Sequence, residues 1–223
     1  MSWRDVPMPT AVRSLPTDKR GFPVPWVSCW DGPRAWDPLT WQVTETPDVL
    51  LECLASYCGH VAGEGVPDLG QLCPGNQLQG MVHRLCDVCG GPIPEGPIYF
   101  MGGYDAAKGK AGFRECGLHF ECALYAGQVC PALVTSRPPA TVVVYECTTY
   151  DLQPIFYWTD SKHAIQSDHF ASFDDPDLVA LFILTKANGT RMALIGALAN
   201  PVDPIITPLA DWLAVHVSQR ENA

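Results

Sequence analysis

The chain has 223 residues and a mass of 24.3 kDa, with 47% hydrophobic but only 17% charged side chains. That is enough apolar surface for a sizeable core and too little charge for a disordered chain, while 19 glycines and 21 prolines argue against a helical bundle or coiled coil. A net charge of −10 and a pI near 4.9, with the acidity concentrated in the C-terminal third, give no electrostatic reason to approach a phosphate backbone, so nucleic acid is not the expected partner.

The first ten residues are broken by Pro7 and Pro9 and lack a charged start followed by a long apolar run. No secretory signal is read there, and a cytoplasmic protein is expected. The longest apolar stretches, residues 178–184 and 192–199, fall far short of the ~20 residues that span a bilayer, so no membrane association is expected.

Residues 1–82 read as an N-terminal arm, a short helix and an irregular loop. Trp3, Trp26, Trp30, Trp36 and Trp41 are five of the seven tryptophans. Pro23 and Pro25 fix φ and push Phe22 and Val24 into extended conformations, so the arm cannot be helical there and must pack onto something else. Most of its rings are expected to cover the core, and the sharper reading is an aromatic patch around Trp26 and Trp30 for a protein partner. Val49, Leu50, Cys53, Leu54 and Tyr57 recur at helical spacing behind Thr46-Pro47-Asp48, which predicts a helix over 48–60. The glycine-rich stretch 59–80 predicts a loop.

Residues 83–134 carry the strongest motif. Ten cysteines in a cytosolic chain stay reduced, so their spacing points first to metal. Cys86-Asp-Val-Cys89-Gly90 is followed, 29 residues later, by His119-Phe-Glu-Cys122. A C-x2-C turn ending in glycine aims backbone amides at its sulfurs, and a second pair three residues apart presents both ligands from the first turn of a helix, near the positive end of its dipole. Together they predict a tetrahedral Cys3His zinc site, although Cys116 and Cys130 compete for the position of His119. Residues 92–113 fit a hairpin, with 98–101 as one strand. Knuckle, hairpin and helix in that order make a treble clef. Four protein ligands leave no open coordination position, so the zinc is expected to be structural.

After the short linker 135–140, residues 140–223 change to strand character. Strands are predicted at 141–149, 155–159, 178–185 and 191–199, the last two flanking the turn signal Asn188-Gly189. Leu209, Trp212, Leu213 and Val217 form an apolar stripe on a helix at 208–219 that would cap the resulting antiparallel sheet. The expected fold class is therefore α+β: an extended aromatic arm, a zinc-stabilised treble-clef module, and a C-terminal antiparallel sheet capped by a helix.

The segment Leu15-Pro-Thr-Asp-Lys-Arg20-Gly-Phe-Pro-Val-Pro-Trp26, the C-x-x-C-G knuckle, and His119-Phe-Glu-Cys122-Ala-Leu-Tyr125-Ala-Gly-Gln-Val-Cys130-Pro131 together resemble a family of uncharacterised zinc-knuckle proteins from actinobacteria and their phages. The resemblance covers residues 15–30 and 84–134. It implies zinc and a phage or mobile-element origin, and it brings no known activity.

Other constellations are weaker. An HNH-type nuclease needs a histidine base and an asparagine near the hairpin, and neither occurs between Cys89 and His119. The stretch from Gly103 to Lys110 departs from a Walker A loop in spacing and lacks the following hydroxyl. Cys53, Cys58, His60 and Cys73 are too irregular for a second metal set. Asp160, His163, Asp168 and His169, with Asp174, Asp175 and Asp177 behind them, read as a solvated acidic loop or, alternatively, as the site of a metal-dependent hydrolase. An acidic decoy of nucleic acid would need a denser charge. The leading expectation is a zinc-binding protein that acts by contacting a host protein, with catalysis left open.

Overall fold

The computed structural model describes residues 2–31, 61–103, 112–134, 142–159, 165–170 and 191–221, which form antiparallel sheets, short helices and a C-terminal helix in an α+β arrangement. The predicted helix at 48–60, Trp36 and Trp41, the linker 135–140, the strand at 178–185 and the Asn188-Gly189 turn lie outside the described residues.

The arm begins with a 3-10 turn, Trp3–Asp5, closed by a reciprocal cap in which Ser2 N–H donates to the Asp5 carboxylate at 3.0 Å. One helical turn, α1 (Thr10–Arg13), follows. Asp18 then organises the bend at Gly21, its Oδ1 accepting from the backbone of Arg20 (2.8 Å) and Phe22 (2.9 Å). Beyond the two prolines the chain is extended, as their fixed φ requires. It enters β1 (Ser28–Trp30), which pairs antiparallel with β2 (Pro67–Leu72).

Residues 67–82 are therefore not the irregular loop that their glycines suggest. After β2, Cys73 caps α2 (Pro74–Val82), its sulfur accepting from Asn76 N–H at 3.5 Å, with Pro74 in the first turn. Proline at the helix start costs no hydrogen bond, and a cysteine cap carries none of the usual Ser or Asp signal. Gly80 sits inside this helix because a Cβ there would collide with Cys116 Sγ and crowd the Trp26 ring.

The core sheet has the order β3–β4–β8, built from β3 (Ile98–Gly103), β4 (Val142–Cys147) and β8 (Ile205–Pro208). Val142, Val143, Val144 and Tyr145 are all buried, which suits a central strand covered on both faces. A second sheet places β5 (Tyr150–Thr159) between β6 (Ile165–Phe170) and β7 (Arg191–Pro201). The single C-terminal sheet of the sequence reading is thus two sheets, and β4 pairs with a strand of the preceding module. The hairpin expected over 92–113 also differs: β3 runs against β4, and the described return meets it only through the bridge Tyr99↔Leu118. Phe113 instead exchanges both hydrogen bonds with Ala199 of β7.

Two helices, α3 (Phe120–Val129) and the one-turn α4 (Pro131–Val134), follow this return. The C-terminal helix α5 (Leu209–Glu221) packs on α3 and along β4 and β8, where Trp212 meets both Tyr99 and Phe120 with ring centroids 5.7 Å apart. Gly127 of α3 permits the approach, since a Cβ there would stand 3.1 Å from a Leu209 methyl. No helix among the described residues is long and apolar enough to cross a membrane.

Candidate metal centre

The first ligand pair sits in a turn that the sequence closes by itself. Cys86 N–H donates to the Gly91 carbonyl and Gly90 N–H to the Cys86 carbonyl, both at 2.8 Å, and Leu85 bridges Pro92 just outside. Gly90 has φ +71°, a conformation that glycine adopts without cost. It also clears space: a Cβ at Gly90 would lie 2.6 Å from the Trp26 ring, so the arm's indole rests on the knuckle. Main-chain bonds from Trp26 N–H to Val88 O (2.8 Å) and Val27 N–H to Asp87 O (3.2 Å) fasten the arm there. On its other side the knuckle is tied to the second pair, because Asp87 N–H donates to Gly117 O (3.0 Å) and Asp87 Oδ1 accepts from Cys116 N–H (2.9 Å).

The second pair belongs to the start of α3. His119 is the N-cap residue and its carbonyl accepts from Ala123 N–H at 2.8 Å, so Cys122 falls in the first turn, next to the positive end of the helix dipole. One ligand atom from each of Cys86, Cys89, His119 and Cys122 lies within 4.8 Å of the others, and these four residues can hold a metal ion. Cys86 and Cys122 are buried, whereas Cys89 and His119 are half-buried.

The histidine geometry fixes its tautomer. Nε2 lies 2.9 Å from the Pro92 carbonyl, which can only accept, so Nε2 carries the proton. Nδ1 is then a lone-pair donor, and it stands 3.4 Å from Cys89 Sγ and 4.0 Å from Cys122 Sγ. A backbone carbonyl behind a ligating imidazole is the orienting contact that metal sites use. Hydrogen bonds from Cys122 and then Cys89, helped by the backbone amides of Cys89 and His119, bring the Cys86 thiol down to about 3. The Cys122 thiol is driven far above its ordinary value by bonding to Cys86 and Cys89 and by burial. A cation bound among these sulfurs would take the place of thiol protons.

The two competing cysteines are elsewhere. Cys116 is buried and its Sγ donates to the Gln77 carbonyl at 3.2 Å, with burial, then the nearby Asp87 and Cys86 charges, pushing its thiol up. Cys130 caps the far end of α3, eight residues and so about 12 Å along the axis from Cys122. Cys73 is the cap of α2, while Cys53, Cys58 and His60 lie outside the described residues. So do Asp160, His163, Asp174, Asp175 and Asp177. Asp168 and His169 are in strand β6, opposite Tyr157 and Phe156 of β5, instead of in the expected loop.

Two participants carry no sequence signal: Pro92 contributes through its main chain, and Asp87 reads as an ordinary knuckle spacer. Trp26 stands out as an aromatic residue of the arm, but its place against Gly90, more than sixty residues along the chain, is not legible. No protein-family model matches the chain, and no curated protein or solved structure matches it either.

Proposed function

We propose that the chain is a zinc-binding protein whose metal is structural, held by Cys86, Cys89 and Cys122 thiolates and by Nδ1 of His119 in a treble-clef-like arrangement. The observation that supports this most is the imidazole, whose Nε2–H donates to Pro92 O while its Nδ1 lone pair faces two sulfurs. Three thiolates and an imidazole are soft and borderline donors that suit zinc and not calcium or magnesium. With four protein ligands the ion polarises no substrate; it joins the knuckle to α3, and the arm is fastened to the knuckle by its main chain.

The chain then acts by binding, in the cytoplasm, and its partner is a protein. Exposed aliphatic side chains at Ile205, Ile206 and Val215 offer apolar surface for such a contact. On the resemblance of residues 15–30 and 84–134, the chain is encoded by a phage or mobile element and the partner belongs to the host.

Native mass spectrometry of the full chain, purified without chelator, tests the metal reading. One zinc per chain is the expected result. Two would favour a hydrolase built on Asp160, His163, Asp168 and His169, and none would overturn the proposal.

A further inference from the structure

A cavity of about 760 Å³ opens between the arm and the helix that carries Cys122. Its floor includes Asp87 and Val88, the two residues between Cys86 and Cys89, and its walls include Val12, Val27, Tyr125 and Ala126. Packing defects in a protein core seldom exceed one water molecule, about 30 Å³. This space falls instead in the range of small-molecule sites, roughly 300–1,000 Å³, and like them it is mostly apolar with a few polar groups.

One lining residue carries a polar atom without a partner. Tyr125 is 3% exposed, and its phenol oxygen is closed off from solvent-sized space with no hydrogen bond, whereas a buried phenol ordinarily has one. A ligand's carbonyl or hydroxyl would satisfy it after a small shift. Charge narrows the class further: Asp87 and Glu115 stand at the cavity against Arg114 alone, on a chain of net charge −10, which disfavours an anionic amphiphile.

We propose that this cavity binds an uncharged, largely apolar small molecule bearing a carbonyl or hydroxyl group that pairs with the Tyr125 phenol. The inference goes beyond the zinc reading and stands on the cavity alone.

Nile red, neutral and carbonyl-bearing, is the probe, titrated into the full chain and followed by fluorescence. Saturable one-to-one binding with blue-shifted emission is expected. Ala126→Phe inside the cavity and Ala132→Trp at its rim should each weaken it at least about tenfold by filling the space. Ala132 is exposed on α4, so its substitution leaves the core alone and decides the matter if the Ala126 variant misfolds. Tyr125→Phe should weaken binding about fivefold, as loss of one neutral hydrogen bond does, without lowering the melting temperature. No saturable binding, equal affinity in the filled variants, or a destabilised Tyr125→Phe protein would each overturn the proposal. Zinc counted on the same samples separates the two readings, since dye binding with no zinc refutes only the metal site, and zinc with no dye binding refutes only the cavity.

Discussion

His119 is constrained from both sides of its ring, by the Pro92 carbonyl at Nε2 and by Cys89 and Cys122 at Nδ1. Cys116 sits only three residues earlier, yet its sulfur faces the Gln77 carbonyl. The two cysteines nearest His119 in sequence, Cys116 and Cys122, should therefore respond differently to the same substitution. Cys122→Ser should lose stoichiometric zinc and destabilise the protein by more than about 3 kcal/mol, because it exchanges one of three thiolates for a neutral hydroxyl that binds zinc poorly. Cys116→Ser should retain one zinc and lose only about 1 kcal/mol, since serine can still donate to Gln77 and what is lost is sulfur burial. Zinc counting with chemical denaturation checks both, and loss of zinc from Cys116→Ser would mean that the ligand set is wrong. That Cys86, Cys89, His119 and Cys122 come together was legible in the sequence, because two pairs with two intervening residues each suit chelation of one ion. That Cys116 stands apart was not, because it depends on where α2 delivers a carbonyl.

At the scale of elements, the joint that matters most is between arm and knuckle. Gly90 combines a left-handed backbone with the closest approach of Trp26, so Gly90→Ala is expected to cost about 2 kcal/mol or more, read from denaturant unfolding. A cost near zero would mean that the indole does not rest there. A second joint links α2 to β5: Tyr150 donates to the Met81 carbonyl at 2.6 Å, and burial pushes its phenol up to about 12. A raised phenol favours the protonated folded state, so this stabilisation is fully present below pH 10 and is lost as pH rises from 10 through 12. Cys147, lifted by burial to about 11, titrates in the same direction. Tyr150→Phe should cost about 1 kcal/mol at neutral pH and make the alkaline fall in stability shallower without abolishing it. An unchanged alkaline limb in the variant would remove Tyr150 from this account.

Across the whole molecule, the α+β class, the final helix and the strand character of 142–147, 155–159 and 191–199 could be read from periodicity and β-branched content, whereas the first half of β5, 150–154, could not. Strand partners could not, because pairing is non-local. Residues 141–149 read as an alternating strand, yet Val142 to Tyr145 are all buried, so both faces are covered, and nothing local says that the neighbours are β3 and β8. The consequence is that the metal module and the C-terminal region share a sheet and, through Phe120, Tyr99 and Trp212, an aromatic cluster beside His119. A zinc ion held as proposed at Cys86, Cys89, His119 and Cys122 would then steady more than the knuckle. The most direct measurement is zinc K-edge X-ray absorption on the full chain purified without chelator. Three sulfurs at about 2.3 Å and one nitrogen at about 2.0–2.1 Å are predicted. A shell of four sulfurs, or one containing oxygen, would contradict the assignment of His119 as the fourth ligand and with it the closed structural site.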